Sequence, residues 1–215
     1  MKISPQPVLK DLVLIGGGHS HVAVVKSFGM KPIPGVRLTV ISRDVHTPYS
    51  GMLPGYVAGH YGFDEVHIDL RPLTQFAGAR LYHNEAVRID PVNKTVICKG
   101  RPPVPYDVLS INIGSTPRIG NIPGAADFAV AVKPINKFVD RWQKLLDRVI
   151  AHSGSHKVCV VGAGAAGVEL LLAIQFRLQN ELAGLGRSSE QLIFHLVCKS
   201  EHIMPGFPSA VAKRF

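Results

Sequence analysis

The sequence has few cysteines, no long apolar run and no concentrated basic block. Its three cysteines, Cys98, Cys159 and Cys198, are widely spaced and odd in number, which argues against a disulfide framework or a Cys-x-x-Cys zinc site. No stretch of 18 apolar residues occurs, so no membrane-spanning helix is predicted. Residues 1–10 are polar, and the apolar run that follows is too short for a signal peptide. We therefore expect a chain of the reducing cytosol, with peripheral attachment to the inner face of the membrane left open.

Positive charge exceeds negative charge along the chain. The 215 residues include 24 Lys and Arg against 15 Asp and Glu, a net charge of +9. The basic residues are scattered, which disfavours a dedicated nucleic-acid surface and favours binding of anionic phosphates or weak attraction to anionic lipid. Apolar residues at 46% and charged residues at 18% indicate a globular chain of one large or two small domains.

The order strand, glycines, helix, strand occurs twice. The first copy is predicted as a buried strand at 12–16, a helix at 19–28 that ends at Gly29, and a strand at 36–42. The second is predicted as a buried strand at 158–162, a helix at 165–182 and a strand at 192–198. Each is a βαβ unit, so the expected fold class is α/β with parallel, Rossmann-like sheets, two units in tandem and the second incomplete.

The segments between these units are less regular. Residues 43–78 are rich in proline and glycine and are predicted to form loops, while 80–89 and 95–99 are predicted to form a hairpin. Residues 106–114 are predicted to form a further buried strand. Residues 135–151 have apolar positions at helical spacing, which predicts an amphipathic helix. Packing on a sheet is favoured over binding at a membrane surface, because acids interrupt the basic face of this helix.

Both glycine turns fit a phosphate-binding β–α corner. The second, 162–167, has glycine at all three positions of G-x-G-x-x-G, whereas the first has Gly16 and Gly18 but histidine at position 21. The glycines allow a tight turn, close approach of a pyrophosphate and close helix–strand packing, and the pyrophosphate then lies on the helix N-terminus. A plain β–α corner is the alternative for either turn alone, and the paired occurrence weakens it.

Neither second strand ends on the acid that commonly binds a ribose hydroxyl. The first ends at Ser42 and Arg43, and the second is followed by Lys199, which suits a 2′-phosphate and hints at NADPH. Metal binding by His19 and His21 is disfavoured because no third ligand lies nearby, and His21 is expected to fill the helix–strand corner.

These motifs resemble the pyridine nucleotide-disulfide oxidoreductase superfamily, whose members have two dinucleotide-binding domains. The resemblance implies an FAD-binding domain at 1–120, with the 80–99 hairpin as an insertion, and an NAD(P)H-binding domain at 121–215 with a connecting helix at 134–152. The residues that it assigns to FAD are Gly16, Gly17, Gly18, His19, Ser20, Ser42, Arg43, Pro48, Tyr49, Ser50, Gly114 and Ser115. The residues that it assigns to NAD(P)H are Gly162, Gly164, Ala165, Ala166, Gly167 and Lys199. It also implies that Glu169, in the predicted first helical turn, orients the nicotinamide; an ordinary acid stabilised by the helix dipole is the alternative.

Residues 47–55 hold no cysteine where the disulfide reductases of this superfamily carry a reactive pair. The three cysteines present are interpreted as small buried apolar residues. The chain resembles the type II NADH dehydrogenases, which work with flavin alone. The combination of the motifs at 16–21 and 47–55 is most similar to a branch that includes stand-alone oxidoreductases and domains fused ahead of selenide, water dikinase.

The resemblance implies an FAD-dependent NAD(P)H oxidoreductase whose flavin passes electrons to a small-molecule acceptor such as a quinone. A non-catalytic nucleotide-binding or regulatory domain, including the first part of a selenide, water dikinase fusion, stays open as the alternative. Because the second sheet has too few strands to be complete, we expect the chain to be a fragment that is inactive in isolation.

Overall fold

The computed structural model of the chain describes residues 7–117 and 122–215. Its strands in chain order are β1 (Lys10–Ile15), β2 (Val36–Ser42), β3 (His46–Pro48), β4 (His67–Asp69), β5 (Arg80–His83), β6 (Ala86–Asp90), β7 (Thr95–Cys98), β8 (Val104–Pro105), β9 (Val108–Ile111), β10 (His156–Val161) and β11 (Leu192–Val197). Its α-helices are α1 (His19–Met30), α2 (Leu53–Ala58), α3 (Phe63–Val66), α4 (Leu70–Phe76), α5 (Ala125–Phe128), α6 (Ile135–Ala151), α7 (Ala165–Gly184) and α8 (Ser209–Ala212). This is the predicted α/β, Rossmann-like fold class.

The chain divides into two compact units. The first comprises Met1–Tyr49 and His67–Thr116, and the second comprises Ser50–Val66 and Pro117–Phe215. The segment Ser50–Val66 therefore packs with the second half of the chain, although it lies within the first half of the sequence. The assignment of 1–120 to FAD and of 121–215 to NAD(P)H stays a prediction.

A four-stranded parallel sheet organises the first unit, in the order β5-β2-β1-β9. Its middle strands are short and strongly apolar, and Val13, Leu14 and Val40 are almost fully buried. Such strands need cover on both faces. Helices α1 and α4 lie on one face, where Val25 joins Leu14 and Val40, and the antiparallel sheet β6-β7-β8 covers the other. The predicted first βαβ unit is confirmed.

Three predictions for the first unit are wrong in detail. The segment 80–89 is not one hairpin strand: β5 joins the edge of the parallel sheet and only β6 enters the antiparallel sheet. Helix α1 does not stop at Gly29 but continues to Met30. The ring of Phe76 lies where a side chain at position 29 would project, so packing favours glycine there. Strand β9 is shorter than predicted and is not buried, since Ile111 is 54% exposed at the edge of the sheet.

The stretch 43–78, predicted to be loops, contains regular structure. Strands β3 and β4 pair antiparallel, and the short helices α2, α3 and α4 surround β4 in sequence. Helix α4 begins at the cap residue Asp69, whose carboxylate accepts the backbone N–H of Arg71. Proline and glycine here end and redirect short elements, so their density did not indicate an absence of structure.

The second unit has the two-stranded parallel sheet β10-β11 with α6 and α7 on one face. The apolar side of α6 is buried through Phe138, Trp142 and Leu146 in a core that includes Val158 of β10, which confirms the predicted amphipathic helix on a sheet. Strand β10 was predicted to be fully buried, and it is not. Its residues alternate between a covered and an open face, and Val161 is 75% exposed. No helix in the described part of the chain is both long and apolar enough to cross a membrane.

The interpretation of all three cysteines as buried apolar residues holds only for Cys98, in β7. Burial raises the pKa of its thiol, and the nearby guanidinium of Arg101 opposes that shift. Cys159 lies on the open face of β10 and Cys198 follows β11, and both are exposed. The sequence around each is strand-like, but only the tertiary structure shows that one face of this sheet is uncovered.

Candidate functional sites at two glycine turns

The first glycine turn lies where the strand order of the parallel sheet changes direction. From β1 the chain moves to β2 on one side, and β9 later pairs on the other side. Parallel α/β sheets bind ligands outside the carboxyl ends of their strands at such a point. Gly16 follows β1 there, and Asn112 follows β9, so the two loops lie next to each other at one edge of the sheet.

Each glycine of this turn is required by a close neighbour in the chain itself. Gly16 has φ +91°, and a Cβ there would collide with the Asn112 carbonyl oxygen. A Cβ on Gly18 would collide with the Asn112 side chain, and one on Gly17 would lie 2.6 Å from Cδ1 of Leu70. The turn is therefore enclosed by the loop after β9 and by the start of α4.

Unpaired N–H groups remain at the start of α1. The N–H of Gly18 donates to the Asn112 carbonyl oxygen at 3.2 Å, and the N–H groups of His21 and Val22 donate to Gly18. Among the described residues, no acceptor is found for the N–H groups of His19 and Ser20. N–H groups at the positive end of a helix dipole are the kind of group that binds anions, as the predicted pyrophosphate site requires.

His21 replaces the third glycine with a side chain that bridges two strands. Its ring is only 2% exposed, with Nδ1 at 2.7 Å from the Gly16 carbonyl oxygen and Nε2 at 2.9 Å from Oγ of Ser110. A carbonyl oxygen only accepts, so Nδ1 carries a proton, and in the neutral tautomer Nε2 accepts the Ser110 hydroxyl proton. The prediction that His21 fills the helix–strand corner is confirmed.

His19 joins the turn to the loop that follows β2. Its Nε2 lies 3.3 Å from the Pro48 carbonyl oxygen, and its ring centroid is 4.6 Å from that of Tyr49. Pro48 and Tyr49, two of the predicted site residues in this loop, therefore lie beside the start of α1. Ser50 starts the short 3₁₀ turn of the other compact unit.

The remaining candidate residues of the first unit lie at the same carboxyl edge. Ser42 ends β2 and is buried, and its hydroxyl donates to the Asp44 carbonyl oxygen at 2.6 Å. The guanidinium of Arg43 is exposed and lies 3.4 Å from the Asp44 carboxylate. Gly114 has φ +77° with open space where a Cβ would project, and Ser115 after it is exposed.

The three glycines of the second turn differ in whether the chain itself requires glycine there. Gly162 has φ +109°, and its N–H donates to the Val197 carbonyl oxygen at 2.8 Å. A Cβ on Gly167 would collide with the Gly162 carbonyl oxygen, so the third glycine permits close contact of helix and strand. Gly164 differs: its φ of −73° suits any residue, and a Cβ there would meet no other atom within 4 Å.

The start of α7 also presents free N–H groups. Gly167 and Val168 donate to the Gly164 carbonyl oxygen, whereas no acceptor is found in the described residues for the N–H groups of Gly164, Ala165 and Ala166. This helix spans 20 residues, so its dipole is well developed at this end. The open space over Gly164 and these three N–H groups are what the predicted binding of a pyrophosphate at this turn requires.

Glu169 and Lys199 are exposed on either side of this turn. Glu169 is the fifth residue of α7 and begins the second helical turn, which corrects its predicted place in the first turn, because the helix already starts at Ala165. Lys199 lies two residues beyond the end of β11. Strands β10 and β11 are parallel, so Lys199 lies at the same sheet edge as the glycine turn.

Three residues that shape the first site were not singled out from the sequence. Asn112 and Leu70 enclose the glycines, and Ser110 holds the ring of His21. Asn112 precedes Gly114 at the end of a strand, a signal that could have placed it at the carboxyl edge. No local pattern connects Leu70 with a turn more than 50 residues earlier in the chain.

Comparison with known proteins agrees with this arrangement. A profile of the pyridine nucleotide-disulphide oxidoreductase family matches residues 10–215. The chain is 28% identical over 210 residues to the NADH dehydrogenase-like protein YutJ of Bacillus subtilis (strain 168), over 95% of this chain and 53% of that protein. It therefore spans about half the length of this curated relative.

Two solved structures share the fold at low sequence identity. NDH2 from Plasmodium falciparum, solved in complex with NADH, is 17% identical with a TM-score of 0.80, over 95% of this chain and 44% of that one. A water-forming NADH oxidase from Lactobacillus brevis, bound to NADH, is 20% identical with a TM-score of 0.68, over 95% and 43%. With a family profile that matches nearly the whole chain and two glycine turns in the expected places, the chain belongs to the pyridine nucleotide-disulphide oxidoreductase family.

Proposed function

We propose that the chain forms the nucleotide-binding part of an FAD-dependent NAD(P)H oxidoreductase that works without a redox-active disulfide. The observation that carries the proposal is that two glycine turns each present unpaired helix N–H groups at the carboxyl ends of neighbouring parallel strands. Two anion sites of this kind suit two dinucleotides. The relatives named above include an NADH dehydrogenase-like protein, NDH2 in complex with NADH and a water-forming NADH oxidase, which supports the same activity class.

The residues of the first turn fit FAD. The N–H groups of His19 and Ser20 would hold its pyrophosphate, and Arg43, exposed at the end of β2, would stand near the ribose side of the nucleotide. Gly114 and Ser115 lie on the adjacent strand end and would complete this edge of the site. The hydrogen bond from His19 to the Pro48 carbonyl oxygen would keep the Pro48–Tyr49 segment beside the cofactor.

The residues of the second turn fit NAD(P)H. The open space over Gly164 would admit a pyrophosphate to the N–H groups of Ala165 and Ala166. Lys199 would contribute a charge to a 2′-phosphate at the adjacent strand end. Glu169, one helical turn further along α7, would orient the nicotinamide ring.

Bound FAD would supply the redox chemistry, by accepting a hydride from NAD(P)H and delivering electrons to an acceptor for which we propose a quinone. The chain's residues would hold the two nucleotides and exclude other orientations. Cys98 is buried in β7, and residues 47–55 contain no cysteine, so the proposal assigns no role to a cysteine pair.

The decisive experiment adds one methyl group at Gly164. Gly164→Ala puts a Cβ into open space at an allowed φ, so the fold is retained and any loss of NAD(P)H binding reports on the ligand. We expect NAD(P)H affinity to fall at least about tenfold, or about 1.4 kcal/mol, in a calorimetric titration of protein whose bound FAD has been reduced beforehand, so that no hydride transfer adds heat. Gly184→Ala adds the same methyl group in open space at the far end of α7 and serves as the matched control.

Unchanged NAD(P)H affinity in Gly164→Ala would contradict the assignment of the second site. Bleaching of the flavin's visible absorbance by NAD(P)H, with turnover on a quinone, separates the oxidoreductase from a non-catalytic nucleotide-binding domain. A domain of the latter kind would bind both nucleotides without bleaching.

A further inference from the structure

Three arginines surround a cavity near the amino ends of the parallel strands of the first unit, at the opposite end of that sheet from the first glycine turn. Arg37 is the second residue of β2, Arg80 opens β5, and Arg101 follows β7. Together with Asp11 and Tyr82 they line a cavity of about 180 Å³, which residues 102 and 103 and strand β8 complete. The proposed nucleotide site does not use any of these residues.

The positive charge of this cavity is only partly compensated. Asp11 is the single acid that lines it, and both its oxygens are taken by Arg37, with Nε–Oδ1 at 2.6 Å and Nη2–Oδ2 at 2.8 Å. Neither Arg80 nor Arg101 has an ion pair with an acid in the described part of the chain. The guanidinium charges of Arg80 and Arg101 therefore have no compensating acid among the described residues that line this cavity.

Arg101 has a buried donor without a partner. Its guanidinium carbon lies 3.6 Å from the centroid of the Tyr82 ring, which holds the group in place by cation–π stacking. The Nε of Arg101 is shielded from water, and no acceptor for it occurs in the described residues. An N–H left in this state is unfavourable, and an acceptor that entered the cavity would satisfy it.

We propose that this cavity binds a phosphate-type oxyanion through Arg80 and Arg101. Guanidinium groups match phosphate oxygens in geometry and charge. The cavity is smaller than the roughly 300–1,000 Å³ of sites for drug-sized ligands, so it suits a compact anion rather than a dinucleotide. Asp11 and Gly16 are five strand residues apart, roughly 16 Å, so the site is distinct from the glycine turn.

The test is an NMR titration of the ¹⁵N-labelled chain with inorganic phosphate at constant ionic strength. The amide signals of Arg80 and Arg101 report the binding. We expect saturable shifts at these residues, separate from any shifts at the N–H groups of His19 and Ser20. A second titration with methyl phosphate distinguishes the two sources of the anion. Tighter binding of inorganic phosphate indicates the free ion, and equal or tighter binding of methyl phosphate indicates the phosphoryl group of a small molecule.

Two variants and a control make the proposal falsifiable. Arg80→Gln removes an exposed side chain and should weaken phosphate binding at least about tenfold, since a hydrogen bond to a charged group corresponds to about that factor. Arg101→Gln should have an equal or larger effect. Lys26→Gln removes the same charge on the exposed side of α1 and should leave the affinity unchanged. The proposal is overturned if no saturable shift occurs at Arg80 and Arg101, or if Arg80→Gln binds phosphate as tightly as the unmodified chain.

Discussion

His21 should be a major source of stability in the first unit, because its ring closes the corner that glycine closes in the second turn. His21→Ala would leave the Gly16 carbonyl oxygen and the Ser110 hydroxyl without their partner in a corner where the ring is 2% exposed. An unsatisfied buried polar group costs about 1–3 kcal/mol, and the half-buried groups at Gly16 and Ser110 fall toward the lower end of that range. Two such groups and the vacated volume should destabilise the chain by about 3 kcal/mol or more.

Thermal unfolding followed by circular dichroism measures this loss. For a chain of this length, about 3 kcal/mol corresponds to a fall in midpoint of roughly 6–12 °C. Ser110→Ala removes only one of the two hydrogen bonds and should cost about 1 kcal/mol. In the double variant the two effects should not add, since both remove the same Nε2 contact.

The matched control is His202→Ala, the same change at an exposed position, which should alter stability by less than about 0.5 kcal/mol. An effect of His21→Ala as small as that of His202→Ala would refute the reasoning. So would an imidazole ¹⁵N spectrum that places the proton of neutral His21 on Nε2, because the Gly16 carbonyl oxygen requires a proton on Nδ1.

Three further predictions concern the cofactor sites and the start of α4. Lys199→Glu should raise the Kd for NADPH relative to the Kd for NADH, whereas Lys213→Glu should leave the ratio of the two Kd values unchanged; equal ratios in all three proteins would contradict the role of Lys199. Gly18→Val should remove FAD by displacing the asparagine packed on the turn, and a flavin-to-protein ratio that stays at one would contradict this. Hydrogen bonds from Arg71 lower the pKa of Asp69 from 3.8 to about 2. A carboxylate whose pKa is lowered in the folded state adds stability at pH values above its ordinary pKa, and this stability is lost as the pH falls through the lowered pKa. The stability lost in Asp69→Asn, measured by thermal unfolding at a series of pH values, should therefore be constant above about pH 4 and vanish toward pH 2. A loss that persists to pH 2 would contradict this prediction.

Local sequence was sufficient for features that depend on neighbouring residues. The apolar run before Gly16 predicted a buried central strand, and the spacing of Phe138, Trp142 and Leu146 predicted the amphipathic face of α6. Both predictions were right because an apolar run and a helical spacing of apolar residues are properties of neighbouring residues in the sequence. The glycine spacing likewise located both turns, since the left-handed backbone at Gly16 and Gly162 is unfavourable for other residues.

Tertiary structure alone decided which distant segments meet. Phe76 explains why α1 contains Gly29, and Leu70 explains Gly17, although neither contact has a local signal. The same holds for β5, which resembles a hairpin strand in sequence but pairs with β2 in the parallel sheet. The exposure of Cys159 also depends on which face of β10 is covered. A strand's own residues show that it has two faces and two edges, but the partners of those faces and edges come from chain segments tens of residues away, and only their packing fixes the surroundings of each side chain.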